Sequence, residues 1–167
     1  GVRFASAFFG RGQFVPAEFE KDGDAFVFRQ EIEGRYLQPI SDPRFIPVTR
    51  RNWGMSASKR EKTEICKLRQ EARLRKTANG FEVAISATGT GNVPLAVEIS
   101  LRPGGELTGV APAPHADSHL LKEGFATYRV GSNTIRLGPG HAEHAYTQVR
   151  GAEGKLPGTS VYFTGHT

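Results

Sequence analysis

The sequence predicts an all-β protein, an antiparallel β-sandwich of roughly ten strands at the usual strand length of about 5–6 residues. Twenty Gly and ten Pro interrupt the chain at short intervals. The runs between them are short and rich in Phe, Val, Ile, Thr and Tyr, which strands favour. Turn dipeptides such as Asp22-Gly23 and Asn79-Gly80 separate some of these runs. Since each sheet has one apolar face to cover, this many strands favour two stacked sheets.

The elements follow in order along the chain. A first hairpin joins QFVPAEFE to AFVFRQEIE through KDGD, and a second joins EARLRK to FEVAISAT through TANG. The strand in PLAVEISL ends at Pro103 and a pair of glycines. FATYRV and TIRL form a third hairpin around GSN, and TSVYFTG is the final strand. Residues 111–119, APAPHADSH, are predicted to form an exposed loop, because Pro112 and Pro114 cannot donate to a sheet.

The segment 56–76 fits two kinds of element. Ser58 and Glu61 have the spacing of a capping box, and three apolar residues after them have helical spacing. The alternation of charged and uncharged residues over 67–75, together with pairing to FEVAISAT through a tight turn, indicates a strand instead. We therefore predict a strand over 63–76, with a short helical turn before it as an option.

One face of this predicted strand carries alternating charges. Its positions are Lys67, Arg69, Glu71, Arg73 and Arg75, whereas Leu68, Ala72 and Leu74 point the other way and are predicted to be buried. The four cations could bind a polyanion that runs along the strand. Alternatively they belong to a solvated face with cross-strand ion pairs. Because Glu71 and the neighbouring Glu82 dilute the positive field, the second interpretation is favoured.

Length and composition fit one soluble domain over residues 1–167. The formal net charge of +5 favours acidic partners. No apolar run has the length of a membrane helix, and motifs for RNA recognition are missing, so neither a membrane nor a nucleic acid is predicted as a partner. Cys66, the single cysteine, is predicted to be a small core residue. The chain starts at Gly1 without Met and stops in a strand-like run, which suggests a fragment of a longer protein.

The densest polar segment is GPGHAEHAYTQVRG, residues 138–151. Alternation from His144 places on one strand face four side chains that can hydrogen-bond hydroxyls and carboxylates: His144, Tyr146, Gln148 and Arg150. Three of them also suit proton abstraction next to a carboxylate. His141 and His144 would lie on opposite strand faces, and no zinc or nucleotide motif is complete, so no metal or cofactor is predicted. Trp53, the only Trp, is either a sugar-stacking ring or a buried anchor.

The stretches LAVEISLRPGGELTGV and LLKEGFATYRVGSNTIRLGPGHAEHAYTQVRGAEGKLPGTSVYFTG resemble the C-terminal β-sandwich of heparinase II/III-like proteins, over about the last 75 residues. The similarity lies in the strand rhythm, the Pro-Gly-Gly turn and the step from GPG to His. Such proteins join a helical toroid to a β-sandwich and mostly act on uronate polysaccharides. The resemblance implies an accessory part of an enzyme, a helical domain of the same parent protein as a partner, and a periplasmic or secreted location.

These observations lead to three expectations of function. The first is a non-catalytic module of a carbohydrate-active enzyme, inactive alone, that binds or supports an acidic polysaccharide site through the residues singled out above. The second is a stand-alone polysaccharide lyase or hydrolase, which needs a concave face that gathers His144, Tyr146 and Arg150 with a carboxylate. The third is a structural or adhesion sandwich that contacts only protein, which needs a large exposed apolar patch beside Trp53.

Overall fold

The computed structural model describes residues 2–6, 18–37, 60–147 and 157–167. These residues form twelve β-strands in three sheets and no helix, which confirms the all-β class. Within them, no helix is long and apolar enough to span a lipid bilayer. The strands are β1 (Val2–Ser6), β2 (Glu18–Asp22), β3 (Ala25–Leu37), β4 (Lys62–Thr77), β5 (Gly80–Gly89), β6 (Pro94–Leu101), β7 (Glu106–Thr108), β8 (Ala111–Pro112), β9 (Ser118–Leu120), β10 (Ala126–Val130), β11 (Asn133–Leu137) and β12 (Thr159–His166).

Two of the predicted hairpins build a four-stranded antiparallel sheet in the order β2-β3-β4-β5. Gly23, with φ of 60°, takes the left-handed conformation that closes the β2–β3 turn. The β4–β5 turn lies one residue earlier than predicted, because Thr77 pairs with Gly80 and leaves Ala78 and Asn79 as the two loop residues. β4 confirms the predicted strand over 63–76 and rules out its helical alternative, while Ser58 of the capping box lies outside the described residues.

The second sheet has the order β1-β6-β12-β9-β8, and only its β9–β12 pair is parallel. The predicted strands in PLAVEISL and TSVYFTG are confirmed as β6 and β12. The loop predicted over 111–119 is wrong in part, because its two ends are β8 and the start of β9. Pro112 is tolerated there because β8 is the edge strand of the sheet, where a missing N–H breaks no ladder.

The third sheet has the order β11-β10-β7 and contains the third predicted hairpin. Its turn is Gly131 and Ser132, and Asn133 already belongs to β11. Tyr128 of β10 is 3% exposed and packs with Leu121 and Val161 in one core cluster. Its hydroxyl accepts a hydrogen bond from the Gly105 N–H at 3.0 Å, which satisfies a polar atom inside the core.

The four-stranded and five-stranded sheets meet at an apolar contact. Leu68 of β4, 1% exposed, packs in one cluster with Val93 and with Leu95 of β6. Predicted burial is thus confirmed for Leu68, but Ala72 and Leu74 are only half-buried. These two residues lie farther along β4, towards the hairpin turns and away from the contact with the second sheet. The side chain of Cys66 lies outside the described ones.

Candidate functional site

The four cations predicted on one face of β4 all have carboxylate partners. The pairs are Lys67 with Glu33, Arg69 with Glu31, Arg73 with Asp22 and Arg75 with Glu82. Three of them join residues that lie directly opposite each other on neighbouring strands. Lys67, Arg69 and Arg75 are exposed as predicted, whereas Arg73 is half-buried because it reaches across β3 to Asp22 on β2.

A fifth cation completes the ion pairs of this face, which we call the paired face. Arg29 of β3 donates to Glu20 and to Glu71 at 2.8 Å each, and these hydrogen bonds raise the pKa of the guanidinium above its usual value. The paired face thus holds five cations against six carboxylates. The interpretation as a solvated face with cross-strand ion pairs is therefore the one that matches the structure, and the row does not form a positive stripe.

The other side of the same sheet, which we call the open face, has a different composition. Strand pairing places eight side chains on its half nearest the two hairpin turns: Phe19, Lys21, Phe26, Phe28, Leu74, Lys76, Phe81 and Val83. Phe19 and Phe81 are 62% and 72% exposed, values unusual for phenylalanine. The ring of Phe19 lies 5.9 Å from that of Phe26 and 5.3 Å from that of Phe28, centroid to centroid, so three rings form one aromatic surface.

The open face also carries cations without anions. Lys21 lies opposite Phe26, and Lys76 lies opposite Phe81. No residue that projects from this side of β2 to β5, within the described side chains, is acidic, and neither lysine has an ion pair in that part of the chain. Charge is therefore segregated between the two faces of the sheet, with an apolar, purely cationic surface opposite the paired face.

The predicted strand through His144 does not form over residues 144–147, the part of it that the structure describes. Residues 141–147 contain only a single bridge, between Ala142 and Thr164 of β12. Thr164 N–H donates to the His141 carbonyl at 3.1 Å and the Glu143 N–H donates to the Thr164 carbonyl at 3.2 Å, after which the backbone leaves β12. Over 144–147, the described part of the predicted strand, the alternation is therefore absent. Gln148 and Arg150, like Trp53, lie outside the described residues.

Instead of that strand face, the structure builds a carboxylate shared by two imidazoles. The Glu143 Oε1 atom lies 2.9 Å from His141 Nε2, and Oε2 lies 2.9 Å from Nδ1 of His166 at the end of β12. The hydrogen bonds from His166 and His141 lower the pKa of Glu143 below its usual value. An ionised carboxylate has no proton to donate, so each imidazole donates its N–H to Glu143. In a neutral imidazole the other ring nitrogen is then an acceptor.

His144 is held differently and both of its ring nitrogens are in use. Nε2 lies 2.9 Å from the Gly165 carbonyl, and Nδ1 accepts the Tyr146 N–H at 3.1 Å. A carbonyl accepts only, so the proton is on Nε2 and the imidazole has no free lone pair. The two predicted residues His144 and Tyr146 do lie close together, with ring centroids 6.4 Å apart, and both ring nitrogens of His144 hydrogen-bond to the backbone.

A cleft of about 210 Å³ lies beside this cluster. Its walls come from β5 of the four-stranded sheet and from β6 and β12 of the five-stranded sheet. The apolar lining residues are Ile85, Ala87, Leu95, Val97 and Phe163, and the polar end is formed by Thr164, Gly165, His141 and His166. The described part of the chain contains no group of three His, Cys, Asp or Glu side chains arranged to hold a metal ion.

Sequence reasoning missed the residues that matter most at both surfaces. His166 is distant in sequence from His141 and Glu143, and only the bridge to β12 brings them together. Phe19, Phe26 and Phe81 occupy alternate strand positions that read as core, and no local signal shows that this end of the sheet is uncovered. The lack of acidic residues on the open face was readable from the strand alternation, once the hairpin register was assumed.

Comparison with protein-family models, with curated proteins and with solved structures gave no significant match for this chain. The resemblance to heparinase II/III-like sandwiches therefore stays a prediction.

Proposed function

We propose that the chain is a non-catalytic β-sandwich module of a carbohydrate-active enzyme and that it binds an acidic polysaccharide on the open face. One observation carries the proposal: exposed phenylalanine rings lie beside Lys21 and Lys76 on a surface that has no described carboxylate. In this proposal the four-stranded and five-stranded sheets are the two layers of the sandwich. Their contact through Leu68 and Leu95 supports that assignment.

The chemistry of the open face fits a polymer of uronic acids. Sugar rings have apolar C–H faces that pack on aromatic side chains, and lysines supply point charges for carboxylates. With strands about 4.8 Å apart and a rise of about 3.4 Å per residue, the Cα atoms of Lys21 and Lys76 are about 12 Å apart. A ligand that reaches both ammonium groups is therefore an oligosaccharide rather than a single sugar.

The paired face makes a poor competitor for the same polymer. Its exposed cations already have carboxylate partners, and each new contact would replace an existing ion pair. A surface ion pair contributes little to stability, yet it cancels the field that attracts an anion from solution. This contrast provides a matched control, since two cations can be removed from either face.

The first test compares these two double variants. Lys21→Ser with Lys76→Ser should lose most of the binding to polygalacturonate in affinity electrophoresis, while Arg73→Ser with Arg75→Ser should retain it. The unchanged protein should bind polygalacturonate more tightly than a neutral dextran of equal length. Its binding to polygalacturonate should weaken as added salt shortens the Debye length to below about 8 Å. If both double variants lose polygalacturonate binding equally, the binding depends only on net charge, and the open face is refuted as the site.

The aromatic contribution is measured separately. Phe81→Ser leaves the charge unchanged, so a drop in polygalacturonate affinity of about tenfold would reflect lost ring contact, within the 1–3 kcal/mol expected of an aromatic surface. Phe125→Ser, which removes an exposed ring outside this sheet, is the control. If neither polymer binds at all, the open face is refuted as a polysaccharide site.

A second candidate function rests on Glu143. A carboxylate that orients an imidazole and leaves its other nitrogen free is the arrangement of a general base, as a polysaccharide lyase requires. Incubation with polygalacturonate distinguishes the two functions, because a lyase releases unsaturated products that absorb in the ultraviolet. The module proposed here should release none, and the activity of a complete enzyme would need the helical domain of the parent protein.

A further inference from the structure

We propose that the cleft between the two sheets binds a small molecule with an apolar body and a primary ammonium head group. This site lies on the same side of the four-stranded sheet but at the end away from Lys21 and Lys76, and it does not depend on polysaccharide binding. Its two halves, an apolar wall and a rim of hydrogen-bond acceptors with one negative charge, define the ligand.

The wall selects the apolar body. Five apolar residues from both sheets line the cleft, which at about 210 Å³ has room for a single ring or a short alkyl chain. Ile85 and Ala87 pack against the same cluster as Leu68 and Leu95, so the cleft continues the contact between the sheets. An apolar group that enters it is removed from water against side chains that are already in place.

The rim selects a donor. His141 and His166 line the cleft, and each donates its ring N–H in a hydrogen bond to Glu143. The remaining ring nitrogens, His141 Nδ1 and His166 Nε2, are acceptors, and neither has a partner among the described residues. An ammonium group has three N–H donors and no acceptor, so it matches these ring nitrogens. A carboxylate ligand has only acceptor atoms and would find no hydrogen-bond donor on the rim.

Charge favours the same head group. The lowered pKa of Glu143 keeps its carboxylate ionised, and no lysine or arginine lines the cleft, so this carboxylate supplies the negative charge at the rim. His144, whose ring lies 4.9 Å from that of His166, adds no charge in the tautomer fixed by Gly165 and Tyr146. The rim thus attracts an ammonium group and repels a carboxylate, whereas a hydroxyl can form a hydrogen bond but gains no charge–charge attraction.

Three probes with one shared ring test this order. Benzylamine, benzyl alcohol and benzoate are titrated at pH 7.5 into the full chain, and chemical-shift changes of the Ala87 and Val97 methyl groups report occupancy of the cleft. We expect benzylamine to bind more tightly than benzyl alcohol by roughly fivefold, the size of one partly exposed charge pair, and benzoate to bind most weakly. Benzoate binding as tightly as benzylamine, or no probe shifting these methyl signals, would overturn the proposal.

Two variants separate charge from space. Glu143→Gln should remove the preference for benzylamine over benzyl alcohol while both still bind. Ala87→Leu should fill the cleft and abolish binding of all three probes, with the circular dichroism spectrum serving as the check that the sheets are intact. An unchanged ranking in Glu143→Gln would show that the carboxylate does not select the head group and would refute the assignment of the rim.

Discussion

Glu143 is the residue on which the histidine cluster depends. It connects His141, in the segment before it, to His166 at the end of β12, so one side chain links two stretches of chain that are far apart in sequence. Sequence alone offered His141, Glu143 and His144 as a group and pointed to His144 as the ligand-binding member. In the structure Glu143 contacts both His141 and His166, whereas the His144 ring contacts the backbone of Gly165 and Tyr146. Such a choice depends on one tertiary contact, which no local spacing encodes.

Removal of this carboxylate should have a pH-dependent effect on stability. The folded-state pKa of Glu143 is lowered from its usual 4.5, so its ionised form stabilises the fold above that pH, and the contribution is lost as pH falls through the folded value. Urea unfolding of Glu143→Gln should therefore show lower stability than the unchanged protein at pH 7, and the difference should shrink at pH 3. A difference that stays constant from pH 7 to pH 3 would contradict this.

At the scale of the element, β4 shows which structural features the alternation of side chains along a strand can predict. Its strand character, its hairpin with β5 and its charged face followed from the sequence, because side-chain period and turn residues are local properties. The depth of burial did not follow. Leu68 and Leu74 have the same identity and the same side of the strand, yet only Leu68 lies against the second sheet. The loop over 111–119 failed for a similar reason, since β9 pairs with distant β12 and β8 then pairs with β9.

The pair of leucines gives a matched test of this account. Leu68→Ala should lower the free energy of unfolding by about 2–5 kcal/mol, because it leaves a cavity between two sheets. Leu74→Ala on the same strand and face should cost about 1 kcal/mol, as the half-buried site leaves no enclosed cavity. Denaturant unfolding monitored by circular dichroism provides both values. Equal costs would mean that the contact between the sheets ends elsewhere.

For the whole molecule, the segregation of charge on the four-stranded sheet is the main feature beyond local sequence. The row of cations on β4 was compatible with a basic stripe or, as favoured, with a solvated ion-paired face. Cross-strand pairs do neutralise the row, whereas Lys21 and Lys76 on the opposite side of the sheet have no ion pair among the described residues. Composition could not reveal this, because it depends on which strand neighbours which. The organisation of residues 1–167 as one domain, or as part of a longer protein with a helical partner domain, stays a prediction.

Exposed apolar surface of this kind should also cause self-association. Phe19, Phe26, Phe81 and Val83 are each more than 40% exposed on one face, and β2 and β5 are edge strands of the sheet. Sedimentation velocity should show weight-average mass rising with concentration, and Phe19→Ser with Phe81→Ser should reduce the effect. Added polygalacturonate should disperse the associated species if it occupies the same face. A clean monomer over a wide concentration range would contradict this expectation.

The position of β12 sets the order in which the five-stranded sheet can be completed during synthesis. It is the last described strand to leave the ribosome, yet it lies at the centre of its sheet, with β6 on one side and β9 on the other. Until it emerges, the β1–β6 pair and the β8–β9 pair have no strand between them. From the synthesis of β9 to that of β12 the nascent chain therefore exposes two unjoined half-sheets, and we expect chaperone binding in that interval to affect the yield of folded protein.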